Sequence, residues 1–577
     1  MIVITGIGIV SSIGTGCHEV RQALLEEREG ISPVRHLRTI HKDYPAGEVD
    51  MSNEQMKAML GIENKETSRT VLLGILALGE AINHAGLTKH DIQTAALISG
   101  TTVADMDIVE LQHNVGDTET GDCGETTQRM ADYFGSWGAT TTCSTACSSA
   151  ANSILVGANL ISSGRFERVV AGGSECLSRF HFNGFRTLMI LDKEPCRPFD
   201  ASRAGLNLGE GAAFLVMETL ESARRRGVKP LAVLSGWGNA CDAFHQTASS
   251  ANGDGARLSM TKALSVAGLK PNAIDYVNAH GTGTPNNDAS ESEALRRVFG
   301  KFIPPVSSTK AMTGHTTSAS GSIEAVICLL AIEGRFIPPT LHWSAPMEDG
   351  LKPVSKLQTN RRLKQVLCNS FGFGGNDTSL VFSEFDNSGR QGEPSAARQV
   401  YLKTVVRYAD IQPDEMPKIP PMIARRLSAI LKRALLTSLV VLQRTGVSSP
   451  DAIITATAKG CVANTLSFLD DISLNGEQLL KPTHFMQSTH NTIGSLIAIH
   501  THSHGYNNTF SHGAESLVSA LVDARMQIEI GHAKNALVGL HDEQNEICTV
   551  MFLSYKGTVS ELLNDEKIKT LCGDYCH

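Results

Sequence analysis

The 577-residue sequence has no apolar run of membrane-spanning length, no excess of lysine and arginine (51) over acidic residues (59), and no CxxC pair spaced for zinc. Each absence removes a class of protein. Hydrophobic residues at 41%, charged residues at 19% and a mean hydropathy of -0.07 describe a globular chain and exclude a disordered or membrane-embedded one. A net charge of -8 and an isoelectric point near 6.2 leave no electrostatic footprint for nucleic acid. A surface that docks an acidic partner would have to be local, at Arg203 or the pair Arg296-Arg297. The thirteen cysteines show no short regular spacing, so reduced thiols are expected and a disulfide framework is not. The apolar opening, residues 1–10, lacks a basic leader and has the texture of a glycine-broken strand. The expectation is a cytoplasmic chain of several packed units.

From residue 1 to about 385, short β-branched runs alternate with helical periodicity and glycine-rich turns, the pattern of an α/β protein with strands between helix layers. Val169–Gly173 and Ala212–Met217 are predicted strands, and Ser68–Ala85 a predicted helix. A polar Gly/Pro/Ser-rich stretch starting at Asp386 then predicts a linker over 386–400. Beyond it the chain repeats itself. Gly86 closes a helix fourteen positions before Gly100, as Gly446 does before Gly460, and Gly164 precedes Gly172 by eight, as Gly531 precedes Gly539. The last segment is therefore expected to be a degenerate copy of the N-terminal half.

Three places carry chemistry. Cys147 sits among small residues just before the helical run Ala151–Leu160, where the positive end of a helix favours a thiolate nucleophile. Taken singly, a cysteine is more often a buried inert thiol, and neighbouring Cys143 shows that composition alone does not choose. His280 follows a predicted strand, Ile274–Val277, and the glycines flanking Thr282 let the backbone approach a ligand. Lys310 and His315 stand at the mouth of a predicted helix, Ser318–Leu330. One histidine among twenty is more often structural, so the weight falls on the combination.

Together these segments resemble the Cys-His-His β-ketoacyl-[acyl-carrier-protein] synthases, the condensing enzymes of fatty acid and polyketide synthesis. TACSSA around Cys147, HGTGTP from His280, STKAMTGH ending in His315 and NSFGFGG around Phe373 occur in the family order, with Pro198–Gly205, Gly209–Gly211 and the opening Thr5–Gly8 as further matches. The resemblance covers residues 1 to about 385. It implies a thiolase-like layered αβαβα fold of two related halves, 1–225 and 226–385, with a partial third half at 401–577.

The resemblance also implies roles. Cys147 would carry the acyl chain as a thioester, and His280 and His315 would stabilise the enolate formed when malonyl loses carbon dioxide, each donor contributing on the order of 3 kcal/mol. The N–H groups of Cys147 and Phe373 would form a second oxyanion hole, with Phe373 also the gate. The bland alternative for Phe373 is core packing. Lys310 would support the histidines in a polar network with Glu291, Asp288 would have a supporting role, and Thr282 and Thr284 would hydrogen-bond the pantetheine arm. Acyl carrier protein and malonyl and acyl thioesters are the implied partners, with no cofactor beyond the carrier's phosphopantetheine and no metal. One departure stands out: Asn376-Asp377-Thr378 replaces the commoner Thr-Asn-Gly after Gly375.

In the tail, counting from the repeated glycines puts the equivalent of Cys147 at Asn507 or at Ala514, and no cysteine lies between them. Neither HGTGTP nor TGH recurs, so the tail is expected not to catalyse condensation. It resembles the cysteine-less synthase-like partners of bacterial polyene pigment pathways and, by analogy, chain-length factors, most clearly over Pro482–Asn491 and Gly539–Glu543. Such a copy would cover the catalytic unit's dimer face and shape the acyl tunnel, as a pseudo-dimer or within a homo-oligomer. His500, His502 and His504 alternate as if on one face of a strand, which raises a metal reading beside the preferred one of interface or tunnel-lining residues. Competing readings are housekeeping fatty acid elongation, a non-catalytic acyl-binding scaffold, and thiolase chemistry on coenzyme A, which lacks the paired histidine motifs.

Overall fold

The computed structural model describes residues 1–63, 66–113, 120–386, 398–543 and 546–575. Most of the predicted linker, 387–397, lies outside the described residues. Three groups of five strands join edge to edge into one sheet, with the two-residue strand Gly14–Thr15 paired to the first strand as its sixteenth member. The first group is Ile2–Ser11, Ala96–Gly100, Ala139–Cys143, Arg168–Glu175 and Gly211–Thr219; the second is Ala232–Cys241, Tyr276–Asn278, Val306–Ser307, Gln365–Gly372 and Asn376–Glu384. The third is Tyr401–Arg407, Ala452–Ala456, Tyr506–Phe510, Asn535–Asp542 and Ile547–Ser554. Numbered along the chain within its group, each has the spatial order 1-5-4-2-3. The fold is the expected thiolase-like arrangement of two related halves plus a third.

Two different seams join the groups. The first strands of groups one and two pair antiparallel, Ile2 opposite Leu234. The third strands of groups one and three pair antiparallel at a single register, Phe510 opposite Cys143. The strand that leads to Cys147 is thus covered by a strand of the same chain, so its edge is not left open.

Helices fill the layers for reasons visible in the sequence. Arg69–Ala85 starts where the Ser68 side chain accepts the Val71 N–H and stops at Gly86, whose φ of 62° suits glycine. Ser149–Ser162 and Ser320–Gly334 are buried almost throughout and cross closely because their residues are small. A Cβ on Gly321 would lie 2.7 Å from the Ala151 Cβ, so that crossing excludes even alanine without movement. The segment Thr317–Gly334 is long and apolar enough to cross a membrane, in contrast to the sequence reading, but 89% of it is buried among the strands, as in a core helix.

The repeat is closer in space than the shared glycines suggest. Ala139–Cys143, Ser149–Ser162 and Arg168–Glu175 recur as Tyr506–Phe510, Ser516–Glu529 and Asn535–Asp542, all at a constant offset of 367 residues. That offset puts Ala514 at the position of Cys147 and dismisses Asn507, which lies inside a strand. The count from Gly460 falls seven short because the tail has eleven more residues between its second and third strands, while Gly460 lies four past the end of Ala452–Ala456 and Gly100 ends its own strand. The predicted strand at His500–His504 is also corrected. His500 lies in the last turn of the helix Thr492–Thr501, and His502 caps it at φ 49°, so the imidazoles do not share a strand face. Among the described residues no group of three or more His, Cys, Asp or Glu side chains is placed to hold a metal ion.

Candidate active site

Cys147 occupies a tight turn between Ala139–Cys143 and Ser149–Ser162. Its neighbour Ala146 has φ 54°, a left-handed conformation that strains a residue with a side chain and presents the next one at the tip of the turn. Thr317 has φ 45° at the corresponding turn of the second half, before Ser320–Gly334. In the third half, Gly513 takes the position at φ 51°, where glycine removes the strain.

The structure brings the distant motif residues together. His315 Nε2 lies 3.2 Å from Cys147 Sγ, and the His280 and His315 rings meet edge to face with centroids 5.3 Å apart. The Phe373 N–H faces the Cys147 sulfur and favours its thiolate. These groups open into a cavity of about 320 Å³ that Thr282 and Thr284 also line. Phe373 is half-buried, and its ring stacks on Phe185 at 5.5 Å, while Phe185 meets the edge of His315 at 6.4 Å. Two nitrogen donors, a nucleophile and an apolar wall therefore converge on one space, as a thioester site requires.

Hydrogen bonds define the histidines further. The Lys310 ammonium has only protons to offer and lies 3.3 Å from His280 Nδ1, which leaves the Nε2 proton as that ring's donor. His315 Nδ1 is 2.9 Å from Ser320 Oγ. Burial, reinforced by the Lys310 charge, holds both imidazoles well below their ordinary pKa, so both are neutral at neutral pH. Burial also pushes the Cys147 thiol up to about 12, against the opposing Lys310 charge and the Phe373 N–H. Desolvation thus opposes the thiolate that the helix end favours, and His315 Nε2 is the imidazole nitrogen in contact with the sulfur.

The acidic residues are arranged differently from the expectation. Glu291 does not touch Lys310. Its carboxylate accepts the backbone N–H groups of His280 and Gly281 at 2.9 and 2.8 Å and the Asn369 amide at 3.2 Å, which fixes the histidine's backbone. Asp288 accepts the N–H groups of Thr282 and Phe199 at 3.0 and 2.8 Å. The ion-pair partner of Lys310 is Glu324, from the helix Ser320–Gly334. Sequence reasoning missed it, although it is the lone acidic residue in the buried part of an otherwise apolar helix. The basic residues offered for docking also have internal partners. Arg203 donates to the Asp200 and Pro285 carbonyls, Arg296 pairs with Glu293, and Arg297 pairs with Asp254.

The third half reaches this site. Phe485, on the short helix Pro482–Met486, packs on Phe185 and Phe180 with centroids 5.7 Å apart in each case, and Phe468 meets Phe180 edge-on at 5.2 Å. The Asn491 amide donates to the Phe373 carbonyl at 2.9 Å. The departure noted at Asn376 also belongs to this junction, because its amide donates to the Asn507 carbonyl at 2.7 Å and its Oδ1 accepts from Ser148, Asn152 and Asn239.

Comparison with known proteins matches each third of the chain. The β-ketoacyl synthase N-terminal domain family matches residues 1–223, the β-ketoacyl synthase C-terminal domain family residues 231–344, and a second β-ketoacyl synthase N-terminal domain family residues 401–548. The chain is 32% identical over 407 residues to 3-oxoacyl-[acyl-carrier-protein] synthase 2 of Synechocystis, covering 67% of this chain and 98% of that protein. It is likewise 32% identical over 423 residues to the Vibrio harveyi protein of the same name, covering 66% and 98%. Among solved structures, the ishigamide ketosynthase/chain length factor is similar at 33% identity and a TM-score of 0.62, over 67% of this chain and 99% of that one. The PfaC keto synthase-chain length factor shares the fold at 14% identity with a TM-score of 0.80, over 97% of this chain and 79% of that one. On these matches and the motif residues gathered around Cys147, the chain belongs to the β-ketoacyl synthase family.

Proposed function

We propose that this protein is a 3-oxoacyl-[acyl-carrier-protein] synthase that elongates a polyene-type chain, with its third half standing in for a second subunit. The observation that carries the condensing activity is the contact of Cys147 Sγ with His315 Nε2 at 3.2 Å beside a neutral His280. His315 takes the thiol proton as Cys147 attacks an acyl thioester, and the departing pantetheine thiolate recovers it. The Cys147 thioester then waits while malonyl thioester binds in the emptied arm of the cavity, where Thr282 and Thr284 hydrogen-bond its pantetheine. Its C–CO₂ bond breaks, carbon dioxide leaves, and the electron pair becomes an enolate whose oxygen accepts hydrogen bonds from the His280 Nε2–H and from His315 in the tautomer that carries its proton on Nε2, with its Nδ1 accepting from Ser320 Oγ. The enolate carbon attacks the Cys147 thioester, and the N–H groups of Cys147 and Phe373 hold the resulting oxyanion until the sulfur leaves. No cofactor takes part beyond the carrier's phosphopantetheine.

The stand-in role of the third half is supported by the likeness to the ishigamide ketosynthase/chain length factor and by aromatic residues of that half that enter the acyl wall, and the polyene reading rests on the tail's resemblance to the cysteine-less partners of polyene pathways. Housekeeping elongation is favoured by the 32% identity to the synthase 2 proteins, but it gives no reason for a fused half without a nucleophile. With malonyl-carrier protein, conjugated unsaturated primers are expected to be extended faster than saturated primers of equal length. An equal or reversed preference would move the chain to the housekeeping reading. The pseudo-dimer reading is tested by sedimentation, which should give the mass of one chain at micromolar concentration; a stable two-chain species would contradict it.

A further inference from the structure

The loop that holds Phe373 is held in turn by the third half. On its ring side, Phe373 stacks on Phe185, which Phe485 supports from behind. On its backbone side, the buried Asn491 donates its amide to the Phe373 carbonyl at 2.9 Å. One residue on, Gly374 has φ 81°, and a Cβ there would lie 2.0 Å from Ser495 Oγ and 3.0 Å from Asn491 Nδ2. The helix Thr492–Thr501 therefore abuts the loop closely enough to require glycine. Past Gly375, Asn376 donates to the Asn507 carbonyl at 2.7 Å, and the Asn507 N–H donates to Asn239 Oδ1 at 2.8 Å. Both flanks of the Gly374-Gly375 turn are thus tied to the third half, by a single amide at Asn491 and by a cluster of amides at Asn376.

The two ties differ in kind. The Asn376 amide groups are satisfied many times over, as in a structural network. Asn491 uses its amide once, on Phe373, and its Oδ1 is buried without a hydrogen-bond partner among the described residues. Burying an unpaired acceptor is unfavourable, so a residue chosen for stability alone would not be an amide at this position. What the Asn491 amide does accomplish is to fix the carbonyl of the peptide that follows Phe373; this restricts ψ of Phe373 and so acts, through that residue, on how its own N–H, on the preceding peptide, faces the Cys147 sulfur.

We propose that Asn491 is a positioning residue for the acyl-thioester oxyanion hole, so that the half without a nucleophile supplies part of the catalytic geometry. This rests on the condensing reading above. Asn491 does not touch the substrate; it acts through the Phe373 backbone. Its effect falls on the two steps that place negative charge on the thioester oxygen, loading of Cys147 and condensation. Decarboxylation of malonyl thioester, whose charge is held by His280 and His315, lies outside its reach.

The test uses the full chain with Asn491→Leu, which keeps the volume and removes the donor. Asn491→Asp is the second variant, which keeps the shape. Two rates are measured: loading of Cys147 from an acyl thioester, followed by intact mass, and carbon dioxide released from malonyl thioester by unloaded enzyme. Loading is expected to fall tenfold or more in both variants at neutral pH, with carbon dioxide release within twofold of wild type. Wild-type loading in either folded variant overturns the proposal. So does an equal fall of both rates with a lowered melting temperature, which marks a structural residue. Wild-type enzyme that neither loads nor releases carbon dioxide defeats the condensing reading itself and is distinguished by that result.

Discussion

Residues Ala139–Glu175 and Tyr506–Asp542 have the same strand, turn, helix and strand at one constant offset, yet only the first holds a nucleophile. The difference lies in the turn and not in the scaffold. Ala146-Cys147 has a strained turn, a thiol with 4% exposure and an imidazole at hydrogen-bond distance. Gly513-Ala514 has a relaxed turn, and Ala514 is exposed. The copy has the elements that pack against the first half and lacks the cysteine and the facing imidazole. Strain at the turn belongs with catalysis, and pairing through Phe510 and Cys143 belongs with assembly.

The largest effect should come from removing the nucleophile on one side and adding it on the other. Cys147→Ala should abolish acyl loading, a loss of at least about a thousandfold. Ala514→Cys should create a thiol that iodoacetamide labels but that acyl thioesters do not load. Loading at residue 514 would show that the shared scaffold suffices. Next, His280→Ala and His315→Ala should each slow carbon dioxide release on the order of a hundredfold or more, about 3 kcal/mol per donor. Of the two, only the His315 change should also slow loading of Cys147, because that imidazole alone contacts the sulfur.

A smaller effect concerns Glu324. Burial raises its carboxyl to about 7 even beside Lys310. Condensation should decline as the pH falls below about 7, because protonation removes the counter-charge of Lys310, and Glu324→Gln should flatten that limb of the pH profile. The stability effect has the opposite sign. The folded carboxyl holds its proton more tightly than an unfolded one near 4.5, so the stabilisation is complete below about 4.5 and is lost as the pH rises through about 7. The smallest catalytic effect is expected at Phe485→Ala. It should cost about 3 to 5 kcal/mol of stability and enlarge the wall behind Phe185, read as a shift toward bulkier primers with little change for short ones.

Side chains fixed by local chemistry could be read from the sequence. Cys147, His280 and His315 lie at strand and helix ends that glycine and small residues mark, and the structure gathers them around one cavity. The repeat was equally visible, because Gly164 and Gly531 end matched helices, and counting back from Gly531 gave Ala514. Pairings made by crossing elements were hidden. Glu324 reaches Lys310 only because two segments meet in the core, while Glu291, nearer to His280 in sequence, holds that histidine's backbone without pairing with Lys310. Phe485 and Asn491 were hidden for the same reason, since more than a hundred residues separate each from its contact in the catalytic halves. At His500–His504, alternation imitated a strand. The apolar run before it prolongs a helix to Thr501, and the left-handed cap at His502 turns the chain into Tyr506–Phe510.

The central claim is that one sulfur of thirteen carries the growing chain. Incubation with an acyl thioester, digestion and mass mapping of every cysteine-containing peptide tests it most directly. The account predicts a single acyl adduct on the Cys147 peptide, discharged into a longer product when malonyl-carrier protein is added. An adduct on any other cysteine, or an extended product formed by Cys147→Ala, would contradict it.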